Sequence, residues 1–537
     1  MITQTLKYRH TVKRVKKKIL LYVGVVGVAA ILNSCLPNSD SGAGKLPNTP
    51  NIIYILADDL GYGDLGCYGQ HLIETPNIDK LARKGMKFTQ HYAGAPVCAP
   101  SRCVLMTGQH PGHAQIRGID GWLERGDVWN YRAMIADSTL EGQRPMEQGT
   151  ATIATLLKDG GYATGMVGKW GLGAPHTDST PLKMGFDFFV GYNCQRQAHT
   201  YYPVHLYKND VRLYLGNDTI APGTKLEEGA DSYELNSYQK YALNSNSNDV
   251  IFNEMVGFIS DNNPKKTGKP FFLYWASPLP HMPLQAPQDW VDYYVGKFGD
   301  EAPYLGDKGY FPHRYPHAAY AAMVSYLDEQ VGKLVKQLKE EGVYENTLII
   351  VSSDNGPAND GGSDSPWFKS SSPFKSGYGW GKGFMHEGGL RVPMIASWPG
   401  HIKAGGQSDH ISAFWDVLPT LCELAGVQVP DDADGISFLP ELVGGNQLRH
   451  DFLYWEFPAY GGQQAVRMGK WKAIRRNLKK GNLRIKLYDL ESDIQEQEDV
   501  AEEHPDILKS IDAIMKMEHQ MPTMECFRMD ILYDKEK

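Results

Sequence analysis

Three short apolar runs constrain the fold of this chain more than any other feature of it. Asn51-Ile52-Ile53-Tyr54-Ile55-Leu56, Pro270-Phe271-Phe272-Leu273-Tyr274-Trp275 and Thr347-Leu348-Ile349-Ile350-Val351 carry no charge and are dense in β-branched and aromatic residues. A strand with one face in water alternates apolar and polar side chains. These runs do not alternate, so each predicts a strand buried on both faces. Burial on two sides needs two covering layers, and apolar residues at helical spacing over 152–158 and 320–338 supply them. Strands alternating with helices predict an α/β fold, a large, mostly parallel sheet sandwiched by helices. Near residue 436 the pattern changes. Strand-like runs at 452–455, 464–468, 471–474 and 484–488 are separated by turn residues such as Gly469-Lys470 and Lys480-Gly481-Asn482. With a helix from about Pro505 to Glu518, they predict a small C-terminal antiparallel sheet packed on one helix. The main domain is therefore expected over 51–435 and a C-terminal subdomain over 436–537.

The 537 residues carry a net charge of -8, with both signs spread along the chain. A nucleic-acid partner would call for a basic face, so none is expected. The N-terminus reads as a targeting segment. Lys7, Arg9, Lys13, Arg14, Lys16, Lys17 and Lys18 precede an apolar run from Ile19 to Leu32, which is short for a membrane span of ~20 residues. It closes on Leu32-Asn33-Ser34-Cys35, which resembles a bacterial lipobox, with Cys35 as the lipidated first residue of the mature chain. A plain cleaved signal and a single anchor helix are the alternatives. All three export the chain, and the favoured one places it in the bacterial periplasm or at the cell surface, held to the membrane by a lipid anchor. Residues 1–35 are then a signal peptide with lipobox, and 36–50, rich in Asn, Ser, Gly and Pro, a linker. The seven cysteines show neither a disulfide framework nor a C-x-x-C pair.

In a parallel sheet, ligands gather beyond the carboxyl ends of the strands. The first apolar run stops at Asp58-Asp59 and the third at Asp354-Asn355, while the second leads to Pro280-His281. Clustered carboxylate and amide oxygens suit a hard divalent cation, Ca²⁺ or Mg²⁺. Taken one at a time, such pairs also serve as strand-end turns.

The run Cys98-Ala99-Pro100-Ser101-Arg102, continued through Met106-Thr107-Gly108, decides between these readings. Here the chain resembles the type I sulfatases of the alkaline-phosphatase superfamily, in particular arylsulfatase A-like enzymes and exported bacterial glycan sulfatases. Every fixed position of the signature C-x-P-S-R-x-x-x-[LM]-T-G is matched. The resemblance spans nearly all of the chain from Asn51 onward and implies hydrolysis of a sulfate ester. Cys98 would be oxidised to formylglycine by a separate maturation enzyme. Residues Asp58, Asp59, Asp354 and Asn355, with the group made from Cys98, would hold one divalent cation, Ca²⁺ in preference to Mg²⁺. Arg102 would hold the formylglycine. Lys169 (in Gly168-Lys169-Trp170) and Lys382 (in Gly381-Lys382-Gly383) would bind the sulfate, and His281 would stand near the leaving oxygen.

One departure stands out. Many family members carry a His two residues after the sulfate-binding Lys, and this chain has Gly171 there. His176 and His199 are the candidates to replace it. The segment around Gln195, Arg196 and His199 mixes amide, guanidinium and imidazole donors with tyrosines, as a wall for a sulfated glycan would; a packed loop is the competing reading. His313, Arg314 and His317 are further candidates for the mouth of the site. The expected substrate is a sulfated carbohydrate, with 4-sulfated galactose or N-acetylgalactosamine as the finer guess. Two other functions stay open. One is a phosphatase or phosphonate hydrolase on the same scaffold. The other is a non-catalytic surface lipoprotein that binds glycans.

Overall fold

The computed structural model describes residues 49–533. The expected signal segment, Cys35 and nearly all of the linker lie outside the described residues. In chain order the strands of the large sheet are β1 (Asn51–Ala57), β2 (Met86–Tyr92), β3 (Ala163–Lys169), β4 (Phe188–Tyr192), β5 (His205–Lys208), β6 (Val211–Tyr214), β7 (Phe271–Ala276), β8 (Thr347–Ser353), β9 (Arg391–Ser397), β10 (Gly406–Ser408) and β11 (Ser412–Ala413). They pair in the order β10-β2-β9-β8-β1-β7-β3-β4-β5-β6, with β11 beside β2.

The centre, β8-β1-β7-β3-β4, is parallel throughout. The three apolar runs are its core strands, and all of β1, β7 and β8 is buried. Alternation along β1 feeds two separate cores. Ile52, Tyr54 and Leu56 join one hydrophobic cluster, and Ile53, Ile55 and Ala57 join the other. The first core takes side chains from the helices Cys98–Thr107, Ile153–Asp159 and Val417–Ala425. The second takes them from Pro76–Lys84, Ser247–Asp261, Gln288–Phe298 and Pro316–Glu340. This is the two-sided burial that charge-free strands require.

Parallel pairing is interrupted on both sides of this centre, although β10 and β11 pair parallel with β2 at one edge. β9 runs antiparallel to both β2 and β8, and β4-β5-β6 pair antiparallel. The C-terminal sheet consists of β12 (Leu453–Phe457), β13 (Gln463–Met468), β14 (Trp471–Arg476) and β15 (Lys486–Asp489), antiparallel in that order, with the helix Pro505–Glu518 against it. Its other face does not form a core of its own. Leu453, Trp455, Phe457, Ala465 and Ile474 belong to the first core of the main sheet.

Register explains where the site falls. Ala57 lies opposite Ser353, Leu56 opposite Ala276, and Gly168 opposite Ala276. Asp58, Asp354, Ser277 and Lys169 therefore leave the sheet at one level, along a single edge. Gly168 permits this approach: its φ is +102°, and a Cβ there would stand 1.9 Å from the Ala276 carbonyl oxygen.

Candidate active site

Cys98 is the first residue of the helix Cys98–Thr107, all of whose residues are buried. The start of a helix of this length concentrates partial positive charge, which favours an anion. Facing it is a compact set of ionisable groups from four strand ends. One carboxylate oxygen each from Asp58 and Asp354, with the Cys98 sulfur, lie within 4.8 Å of one another, as do ligand atoms of Asp58, Asp59 and His281. Asp59 reaches this set through a left-handed backbone, φ 65°. Its N–H donates to Asp354 Oδ1 at 3.2 Å, and Asn355 Nδ2 donates to Asp59 Oδ1 at 2.7 Å.

Three cations balance the acids. Arg102 is one turn along the helix from Cys98. It donates to Asp354 Oδ2 from Nε (3.0 Å) and Nη2 (2.8 Å), and from Nη1 to the Lys169 carbonyl at 2.7 Å. Lys169 Nζ lies 2.5 Å from Asp58 Oδ2, and Lys382 Nζ lies 2.7 Å from Asp59 Oδ2. His281 Nδ1 donates to the Met282 carbonyl at 2.6 Å, so Nε2 is the atom it turns to the pocket, 3.7 Å from Asp59 Oδ2.

These groups compete in a pocket where nearly all of them are buried. Burial and the repulsion of neighbouring carboxylates push Asp354 up to about 7, against the pull of Arg102. Burial and Asp58 likewise raise Asp59, although Lys382 opposes them. Asp58 goes the other way, because Lys169, His281 and Arg102 outweigh the cost of its burial. Burial raises the Cys98 thiol even with two lysines near it, so the encoded residue is a poor nucleophile at neutral pH. The donor set fits a hard divalent cation. It is all oxygen, it holds three carboxylates, and two of its oxygens, Asp58 Oδ1 and Asn355 Oδ1, are buried with no hydrogen-bond partner among the described residues.

Not every expected residue arrives here. Gln195 does: the Cys98 thiol donates to its Oε1 at 3.3 Å. His199 does as well, stacked on His281 with ring centroids 5.4 Å apart. His176 does not. It is exposed and bonded to Ser138 Oγ at 2.9 Å, in a cleft of about 590 Å³ lined by Lys183, Asp210 and Arg212, so it does not replace the missing His. Arg196 is not part of the pocket wall either. It stacks on Trp129 and donates to the Gly142 carbonyl, clasping the loop before Gln143. Arg314 is spent on Asp300 and two backbone carbonyls, and His317 on Glu301 and Asp364. His313 pairs its backbone with Tyr304 and accepts the Tyr315 N–H on Nδ1. These three hold a loop in shape. Sequence reasoning missed Tyr310, which packs edge-on to both His199 and His281, and Asp360, whose charge acts on Lys382 and Asp59. Neither sits in a run with a recognisable pattern.

A buried acid cluster, a cationic floor and a nucleophile candidate at a helix start, on an alkaline-phosphatase-like sheet, define a hydrolase of anionic esters. The family model described as Sulfatase matches residues 50–427, and one described as N-sulphoglucosamine sulphohydrolase, C-terminal, matches 377–524. The N-acetylgalactosamine-6-sulfatase of Canis lupus familiaris is 32% identical over 445 residues, 80% of this chain and 73% of that protein. Arylsulfatase A of Homo sapiens is 32% identical over 438 residues, 79% and 74% of the two chains. The solved structure of Ps i-CgsB in complex with k-i-k-neocarrahexaose superposes with a TM-score of 0.68 at 29% identity, covering 89% of this chain and 94% of that one. The chain belongs to the sulfatase family and is a sulfuric ester hydrolase.

Proposed function

We propose that the chain removes sulfate from a sulfated carbohydrate of the galactose or N-acetylgalactosamine type, with position 98 as the nucleophile after its conversion to formylglycine. The observation that carries this is the juxtaposition of Cys98 with Asp58 and Asp354 at a helix start, flanked by the buried Lys169 and the half-buried Lys382. The sugar class is supported by the relative named N-acetylgalactosamine-6-sulfatase and by the glycan-bound neighbour structure. Sulfate at position 4 is the finer expectation.

Each side chain then has a task. Lys169 and Lys382 meet the sulfate oxygens as point charges in a water-poor pocket, where charge is worth most. Arg102 keeps Asp354 and the turn after β3 in place. His281 has Nδ1 fixed on a carbonyl and presents Nε2 to the leaving oxygen. Burial, Lys382 and Lys169 hold it well below the usual histidine range, so the imidazolium that delivers the proton from Nε2 forms once the negative charge of the sulfate ester enters the pocket. His199 and Tyr310 wall it off from water on one side. Asp58, Asp59, Asp354 and Asn355 would hold the divalent cation, Ca²⁺ in preference to Mg²⁺, with the oxygen at position 98 completing the set. A cation so held would polarise the sulfate and favour ionisation of the nucleophile. Formylglycine, as its hydrate, supplies two hydroxyls on one carbon, one to displace the alcohol and one to expel sulfate.

The reading includes a maturation enzyme as partner and export behind a lipid anchor at Cys35. A panel of galactose and N-acetylgalactosamine sulfated singly at positions 2, 3, 4 or 6 tests the substrate. Sulfate release from one position is expected to exceed the others at least ~10²-fold. Equal, slow release from all of them, with faster turnover of sulfated glucosamine, would overturn the sugar assignment.

A further inference from the structure

Gly171 and Gln195 fit together in a way that neither their residue types nor their spacing announces. The chain leaves β3 and continues alongside the segment after β4, with the Trp170 N–H on the Tyr192 carbonyl (2.9 Å) and the Gly171 N–H on the Asn193 carbonyl (3.3 Å). This sets Gly171 directly beneath the Gln195 side chain. A Cβ on Gly171 would stand 2.3 Å from Gln195 Nε2, 2.4 Å from Cγ and 2.7 Å from Cδ. The φ of Gly171, +77°, also disfavours any other residue. The amide therefore occupies the volume that a side chain at 171 would fill.

From that position Gln195 reaches the nucleophile. Its Oε1 accepts from the Cys98 thiol at 3.3 Å, and the side chain is held by its own backbone, whose N–H donates to Gln143 Oε1 at 3.0 Å. Gln195 is 5% exposed, and its Nε2 has no acceptor among the described residues. A thiol is a weak donor, and a hydroxyl in the same place is a much better partner for Oε1. A buried amide that is half satisfied against sulfur is an amide built for oxygen.

On the reading that position 98 works as formylglycine, we infer that Gln195 positions the nucleophilic oxygen generated at residue 98, and that the empty Gly171 is what admits it. The side-chain amide neither gains nor loses a proton in the working pH range, so it orients the nucleophile and transfers no proton. Gln195 is thus a residue of the nucleophile's side of the pocket, and not of the wall that contacts the sugar.

Three variants test this in the full-length, matured enzyme: Gln195→Ala, Gly171→Ala and the double variant. Each rate is divided by the formylglycine content of residue 98, measured by mass spectrometry of that peptide, and each variant's thermal unfolding is recorded. Gln195→Ala is expected to lower kcat by about 10²-fold, the loss typical of one preorganised polar contact, while KM moves by less than about threefold, since no ground-state sugar contact is lost. Gly171→Ala should reproduce that loss, and the double variant should be no slower than the worse single one, because both changes break one contact. If Gly171→Ala fails to fold, Gln195→Ala decides. A kcat loss smaller than about tenfold, or a rise in KM alone, overturns the inference. A wild-type enzyme that releases no sulfate, or releases it with Cys98 unconverted, fails the parent reading instead, and that result is read before any variant is made.

Discussion

At the scale of single residues, the pocket is a balance between acids and bases in close contact, and a bound divalent cation would shift that balance. Asp59 and Asp354 are both raised by burial and by neighbouring carboxylates, and Asp58 Oδ1 and Asn355 Oδ1 are left without donors. A cation bound there relieves all of these at once and binds only the folded state. Chelation with excess EDTA followed by desalting is expected to abolish sulfate release and to lower Tm by several degrees, and added Ca²⁺ should restore both. An unchanged Tm with activity retained would remove these four residues from the ligand set. Most of this site was legible in the sequence, because the acids, lysines and His281 stand at strand ends or in short fixed patterns such as Cys98-Ala99-Pro100-Ser101-Arg102. What was not legible is where the loops between the elements fold back. His176 and His199 are both histidines near the gap at Gly171, but only the turn after β4 returns to the pocket, so His199 stacks on His281 while His176 faces solvent. Gln195 was legible as a pocket residue but not as a partner of Cys98, since that contact depends on the absence of a side chain at 171.

At the scale of elements, the sequence pattern separated the central strands well and the edges poorly. β1, β7 and β8 lack alternation because both of their faces are dry. β9, in Arg391-Val392-Pro393-Met394-Ile395-Ala396-Ser397, is just as buried but runs antiparallel, and nothing in its composition records its direction. The short helix before it, Glu387–Leu390, carries the joint between the two sheets. Glu387 is fully buried and takes Lys472 Nζ from β14 at 2.8 Å, the Tyr92 hydroxyl from β2 at 2.8 Å and Arg391 Nη1 at 3.2 Å. Burial alone would raise this carboxyl; Lys472, Arg391 and Arg467 overcome it and hold it at about 2, below the usual 4.5. Such a depressed acid contributes stability that is complete above the unfolded value. That contribution is lost as pH falls from about 4.5 to about 2, with a slope near 1.4 kcal/mol per pH unit. Lys472→Met leaves a buried carboxylate without its closest cation and is expected to cost about 3–5 kcal/mol in urea unfolding. Adding Glu387→Gln should recover part of that loss and flatten the acid limb. A Lys472→Met loss under about 1 kcal/mol would show that Arg391 and Arg467 suffice to hold the Glu387 charge without Lys472.

At the scale of the whole molecule, the C-terminal sheet looks like a separate unit in the sequence but shares a core with the main sheet. Turn residues and a change of period mark its start near 436, yet Leu453, Trp455, Phe457, Ala465 and Ile474 pack into the same cluster as Tyr54, Phe88 and Trp415. Trp455 Nε1 also donates to the Ala93 carbonyl at 3.0 Å, just before the Cys98 helix. A chain ending at 435 is therefore expected to be insoluble or to lack a cooperative transition, and the intact chain to unfold in one calorimetric step. A soluble, cooperatively folding 51–435 fragment would show the shared core to be dispensable. The most direct measurement of the account as a whole concerns residue 98. Preparations matured to different extents would be assayed for sulfate release, and the Cys98 peptide of each weighed by mass spectrometry. The account predicts a species about 18 Da lighter than the thiol form and a rate proportional to its fraction, reaching zero when all of residue 98 remains cysteine. Full sulfate release from a preparation in which Cys98 is entirely unconverted would contradict it.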